Sequence, residues 1–183
     1  MGRIDKEKGV EELIDACAIL NLKTKITFSL DIIGGGVESY LNFLKHKIEN
    51  LNIDGVVKFR GRVNDSDSLK YFYLNSDIFV FPSHHEGFPR VLYEAMTFSL
   101  PIVTTKLETY KGIMNNAENC LFVDIENPEQ ISAAILNLFN SMEIRRKLGI
   151  SGYNYMKDYY QHIVSNSHAL QVLNSFNFKN SNL

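Results

Sequence analysis

Apolar positions along the chain fall into short runs separated by longer amphipathic stretches. Residues 26–33 (ITFSLDII) alternate and then become continuously apolar, residues 56–59 and 78–81 are shorter runs, and Ile102-Val103 and residues 121–123 complete the series. Runs of this length and composition, bounded by Gly, Pro, Asn and Asp, predict strands. Between them the spacing is helical. Leu13, Ile14, Cys17 and Leu20 mark residues 10–22, and a further stretch covers 37–51. Leu69, Phe72 and Tyr73 mark 65–75, with Asp65 or Ser66 as its cap, and a short helix covers 89–98. Ile131, Ala134, Ile135 and Leu138 mark 128–140, and two more helical segments are expected at 142–160 and 162–176. Alternating strand and helix predicts an α/β fold with a Rossmann-like parallel sheet and helices on both faces. One domain over residues 1–177 and a polar, frayed tail at 178–183 account for the chain.

The most informative stretch is residues 79–105, FVFPSHHEGFPRVLYEAMTFSLPIVTT, which reads strand, loop, helix, strand. Pro89 suits the first turn of the helix, where its missing N–H costs nothing. Glu86 and Gly87 then lie just ahead of the helix, at the carboxyl end of a strand, the edge where open α/β sheets bind ligands. The N–H groups of Phe88, Arg90 and Val91 point out of the helix start, suited to a phosphate or sugar oxygen. Gly87 permits close approach of a ligand to the backbone. Glu94, further along the helix, can turn toward the same cleft, and a carboxylate that accepts two hydrogen bonds suits a vicinal diol such as that of ribose. Two glutamates at this spacing are, on pattern alone, ordinary surface residues; the whole string carries the signal.

Other candidates are weaker. Gly34-Gly35-Gly36, between a strand and a helix, reads equally as a tight turn or as a backbone that approaches a ligand; Ser39 rules out a GxGxxG dinucleotide fingerprint. His84 and His85 read as loop histidines. Arg3 and Lys8 sit in a charged N-terminal stretch of the kind usually solvated.

Composition sets outer limits. The 183 residues suffice for one domain with a real core, and a formal net charge of −2 leaves no nucleic-acid footprint. No apolar run approaches the roughly 20 residues of a membrane span, and no signal peptide opens the chain. Two cysteines, Cys17 and Cys120, make no disulfide framework, and the Cys and His spacing suggests no metal site.

The string EGFPxVLxEAM at 86–96 followed by Pro101-Ile102-Val103 resembles the donor-binding signature of the retaining glycosyltransferases of family four, which have the GT-B fold. GR…EKGV at 2–10 resembles that family's second signature. The resemblance covers about residues 1–160 and implies the C-terminal, nucleotide-sugar-binding half of such an enzyme. It implies that Arg3 and Lys8 grip the donor diphosphate, that Glu94 holds the ribose diol, and that Glu86 is the catalytic-site carboxylate orienting the donor sugar. It raises the ligand-facing reading of Gly34 and Gly36 and places base recognition near Arg62 and Val63, which otherwise read as part of a solvated turn. It implies transfer of a hexose from a UDP- or GDP-sugar to a hydroxyl acceptor with retention and no metal. The usual setting is cytoplasmic assembly of bacterial polysaccharide, lipopolysaccharide or capsule, peripheral to the inner membrane. The acceptor, a glycan or lipid-linked saccharide, belongs to an N-terminal domain absent here.

The chain departs from the family pattern in three places. The family usually has Gly where Ser99 stands, a Gly pair near residues 107–109, and Asn-Gly at Asn119-Cys120. A strand precedes the Gly-Arg pair in the family, so the sheet is expected to lack its first strand. These departures keep open an alternative: a non-catalytic nucleotide-sugar-binding module, or a half-enzyme that needs a separate acceptor domain.

Overall fold

The computed structural model describes residues 2–87 and 90–164. Among these residues are six parallel strands and six α-helices, alternating as far as β5: β1 (Gly2–Ile4), α1 (Val10–Lys23), β2 (Leu30–Gly36), α2 (Glu38–Asn50), β3 (Val57–Gly61), α3 (Ser66–Leu74), β4 (Phe79–Phe81), α4 (Arg90–Thr97), β5 (Ile102–Thr105), β6 (Leu121–Val123), α5 (Pro128–Asn140) and α6 (Met142–Val164). The strands form two three-stranded sheets, β1-β2-β3 and β4-β5-β6.

The α/β reading holds because each apolar run has two faces to bury. On β5, Ile102 packs with Leu92, Met96 and Met156 on one side, while its neighbour Val103 packs with Leu13, Ile131 and Leu138 on the other. Period-two alternation sends successive side chains to opposite faces, and helices cover both. A third cluster joins α1, β2 and α2 through Ile14, Cys17, Ile32, Leu44 and Ile48. Local chemistry sets the helix starts. The Asp65 carboxylate accepts the Ser68 N–H at 2.7 Å ahead of α3, and Asn127 accepts the Gln130 N–H at 3.0 Å ahead of α5, which has Pro128 in its first turn.

Three expectations change. The sheet does not wholly lack its first strand: Gly2–Ile4 pairs in parallel with Gly34–Gly36. The triple glycine is therefore strand rather than turn. A Cβ on Gly34 would lie 1.9 Å from the Gly2 carbonyl oxygen, and one on Gly36 would lie 2.2 Å from that of Ile4, so only glycine lets β1 close on β2. Finally, the break expected after residue 160 is absent, because no Gly or Pro stands there and α6 runs on to Val164. The proposed last helix beyond that point lies outside the described residues.

Candidate functional site

Two loops meet to hold Glu86. The first, between β1 and α1, makes a single 3-10 turn at Lys6–Lys8, with the Asp5 carboxylate accepting the Glu7 N–H at 3.1 Å. Gly9 follows with φ 64°, a left-handed conformation that glycine adopts without strain. A Cβ there would lie 2.0 Å from the carbonyl oxygen of Pro82, so Gly9 is what allows this loop to dock on the loop after β4. The His84 N–H then donates to the Glu7 carbonyl at 2.8 Å.

This docking brings Lys8 Nζ within 2.6 Å of Glu86 Oε1 and 3.2 Å of the His85 carbonyl. The Lys8 and Glu86 side chains are 20% and 13% exposed, so the pair is largely screened from water. Ser83, fully buried, places its hydroxyl 2.9 Å from the same Glu86 oxygen. From β5, Thr104 donates to the Phe81 carbonyl at 2.7 Å and Thr105 to that of Ser83, fastening the loop to the sheet. Tyr110 is buried nearby; burial, and then the charge of Glu86, push its hydroxyl well above the ordinary phenol range.

Glu94 is held differently. Tyr73 on α3, buried in the core, donates its hydroxyl to Glu94 Oε2 at 2.7 Å. Burial, and then this bond to Glu94, push the Tyr73 hydroxyl far above its usual value, so it serves as a donor across the whole physiological range. Glu94 borders a cavity of about 350 Å³ that Arg3, Gly34, Arg62, Val63 and Val91 also line. Residues expected at a donor site from separate parts of the sequence thus converge.

The remaining candidates sit elsewhere or serve otherwise. Gly36 is not among the residues lining this cavity and acts in the β1–β2 contact. Gly87 is exposed, with open space where a Cβ would stand, and Arg90 is exposed at the start of α4. Phe88 lies outside the described residues. Arg3 pairs with Asp5 at 2.6 Å on the surface, a contact of little energetic weight.

Sequence reasoning did not single out Gly9, Ser83, Tyr73 or Gly35, which also lines the cavity. Tyr73 carried a readable signal, an aromatic with a polar tip on a core-facing helix position. Cys17 and Cys120 are buried and free, and burial raises both thiols to about 12, which keeps them unreactive. Among the described residues one group, Glu12, His84 and Glu126, brings metal-ligating atoms within 4.8 Å of one another. No spacing in the sequence announces it, since the three come from separate elements. Among the described residues no helix is long and apolar enough to cross a membrane.

Comparison with known proteins now bears on this geometry. The family described as "Glycosyl transferases group 1" matches residues 1–155. The capsular polysaccharide biosynthesis glycosyltransferase CapM of Staphylococcus aureus is 31% identical over 157 residues, which is 83% of this chain and 39% of CapM. The crystal structure of the C-terminal domain of the group 1 glycosyl transferase LpcC from Francisella tularensis superposes with a TM-score of 0.79 at 29% identity, covering 87% of this chain and 83% of that domain. Anabaena HepE, solved with UDP-glucose, gives 0.80 at 19% identity over 95% of this chain and 48% of its own, a likeness of fold. The chain spans less than half the length of the curated relatives it matches.

Proposed function

Since the chain belongs to the group 1 glycosyl transferases, we propose that it binds a nucleoside-diphosphate sugar as the donor half of a hexosyltransferase that acts with retention. One observation carries the reading: Arg3, Arg62, Val63, Val91 and Glu94 line one cavity, while Lys8 of the same N-terminal segment as Arg3 holds Glu86. As the bond from the anomeric carbon to the diphosphate breaks, negative charge gathers on the leaving diphosphate. Fixed cations there stabilise that charge more than they stabilise the ground state. Arg3 and Lys8 take this role in place of a metal. Glu94, with one oxygen on Tyr73, retains acceptor capacity for both hydroxyls of the ribose. Glu86 receives the hydroxyls of the donor sugar and turns its anomeric carbon toward the acceptor, with Lys8 shared between this carboxylate and the diphosphate. The base lies against Arg62 and Val63.

The UDP-glucose bound to HepE supports UDP over GDP as the first nucleotide to try, and the naming of CapM supports capsule or related polysaccharide assembly as the setting. We place the reaction in the cytoplasm at the inner membrane face. The acceptor glycan or lipid-linked saccharide is met by an N-terminal domain, in the same polypeptide or another, and without it the chain binds donor far better than it transfers sugar.

Thermal melting of the purified protein with UDP, GDP and their sugar conjugates, alongside Glu94→Ala, tests this. A nucleotide at 100 times its dissociation constant adds about 2.7 kcal/mol, which raises the midpoint of a domain this size by roughly 5–10 °C. A shift with one nucleotide that Glu94→Ala abolishes is the expected result. A cooperative melt that no nucleotide moves would sink the reading.

A further inference from the structure

Binding a nucleotide sugar leaves three neighbouring groups unused. Glu12 lies in the first turn of α1, His84 in the loop after β4, and Glu126 in the loop between β6 and α5. Each offers a ligand atom, and these atoms lie within 4.8 Å of one another. Both loops are fixed from behind. The His84 N–H donates to the Glu7 carbonyl at 2.8 Å. Gln130 of α5 accepts the Asp124 N–H at 2.8 Å and donates to the Asp124 carboxylate at 2.7 Å.

Two of the atoms concerned lack what a buried polar atom needs. Glu12 Oε2 and His84 Nε2 are hidden from water and have no hydrogen-bond partner among the described residues. The two side chains are only 16% and 14% exposed. His84 Nε2 stands 3.2 Å from Glu12 Oε1, but not in the alignment of a hydrogen bond. An imidazole nitrogen and a carboxylate with no proton between them are two acceptors turned to one point, and a buried acceptor without a partner is costly. A cation at that point satisfies both. No basic side chain supplies it: Lys47 takes Glu11 and Asp15, Lys8 takes Glu86, and among the described residues no lysine or arginine pairs with Glu12 or Glu126.

We propose that Glu12, His84 and Glu126 form a binding site for a divalent metal ion of the zinc class, which clips α1, the loop after β4 and the loop after β6 together. With bonds of about 2.0–2.2 Å, the ligand atoms of a tetrahedral zinc site stand about 3.3–3.6 Å apart. The separation of 3.2 Å between His84 and Glu12 already matches that edge. Glu126 is exposed, so its side chain is free to rotate inward over the remaining distance. One imidazole nitrogen with two carboxylate oxygens suits zinc, whereas magnesium and calcium take shells of oxygen. Two carboxylates and a neutral imidazole balance the charge of the ion, and a water completes four-coordination. Arg3 and Lys8 remain the cations for the diphosphate. The ion instead fixes the loop that carries Glu86 two residues after His84.

The test uses the full chain without a histidine tag, stripped of metal by a chelator that is then removed, and titrated with zinc chloride. The expected results are saturable binding of one zinc per chain and a midpoint rise of roughly 5–10 °C at 100 times the dissociation constant, reversed by EDTA. The NMR signal of His84 Nε2 should shift on binding. His84→Gln and Glu126→Gly should each weaken zinc binding by about tenfold or more. Glu126→Gly separates ligation from folding, because residue 126 has φ 58°, which glycine adopts without strain. If His84→Gln does not melt cooperatively, Glu126→Gly decides alone. Absence of saturable zinc binding would overturn the proposal. So would undiminished affinity in either folded variant, which would place the zinc on other surface groups, or an equal response to magnesium chloride.

Discussion

The regions around Glu86 and Glu94 come from one short string, yet they are built in opposite ways. Glu86 sits in a loop against a cation 78 positions away, and its place depends on two loops that dock through Gly9 and the Glu7 carbonyl. Glu94 sits on a regular helix against a neutral phenol 21 positions away, and α3 and α4 share the same core. The difference has chemical consequences. The charge of Glu86 is already compensated by Lys8, so under the proposed function a diphosphate would compete for that cation. Glu94 accepts a hydrogen bond from a neutral phenol and keeps spare acceptor sites, which the proposed diol-binding role needs. A docked loop can adjust to a changing charge; a packed helix gives a fixed reference point for it.

The largest perturbation falls on the Glu86 region alone, where its two loops dock. Gly9→Ala places a Cβ against the Pro82 carbonyl and forces alanine to φ 64°, which together cost about 3 kcal/mol. The melting midpoint should fall by roughly 6–12 °C, and any nucleotide-induced shift should shrink with it. An unchanged midpoint would show that the two loops are not held together as described.

Next in size is Lys8→Met, which leaves a carboxylate only 13% exposed without its cation. Because both side chains keep some contact with water, the cost should be about 2 kcal/mol, below the figure for a fully buried pair. Adding Glu86→Gln should recover at least half of that loss, and urea titrations of the double-mutant cycle read the coupling directly. Additive losses would mean that the pair contributes nothing.

Tyr73→Phe should be milder, about 1 kcal/mol, because the bond is lost while the ring packing stays. Its pH dependence sharpens the comparison. The folded Tyr73 hydroxyl ionises well above the unfolded value of about 10, owing to burial and then Glu94. The unfolded chain therefore loses its proton first as pH rises. The contribution is complete below about pH 10 and drains away above it. Urea midpoints at about pH 8 and 10.5 should fall more for the native protein than for Tyr73→Phe. Equal falls would place the alkaline sensitivity elsewhere.

The smallest expected effect is a gain. Ser99, just beyond α4, has φ 56°, where the family pattern has glycine. Ser99→Gly should raise stability by about 0.5–1 kcal/mol and leave nucleotide binding unchanged. A loss would mean that the serine is satisfied there in a way that its backbone does not reveal.

How much of this was legible depends on the range of the forces involved. Residues 121–123 and 128–140 are strand and helix as the pattern predicts, since Pro128, Asn127 and the apolar spacing all act locally. The stretch 26–33 shifted to 30–36 because Gly34 and Gly36 pair with β1, and their role lies in what a missing Cβ permits a distant segment to do. Arg3, Arg62, Val63, Val91 and Glu94 were named from motifs and do share one cavity. Ser83 and Tyr73, which hold the two carboxylates, were not among the site residues read from the sequence, because a serine after a strand and a tyrosine on a helix have many local uses.

The sequence by itself determined the class of fold, the order of its elements and the chemistry available at their ends, because periodicity, caps and turn residues act over a few positions. Only the tertiary structure decided which charge meets which. It set Lys8 on Glu86 and Tyr73 on Glu94, and it gathered Glu12, His84 and Glu126. Those pairings arise from the packing of segments far apart in the chain, where the energy of contact depends on relative position and not on neighbours in sequence.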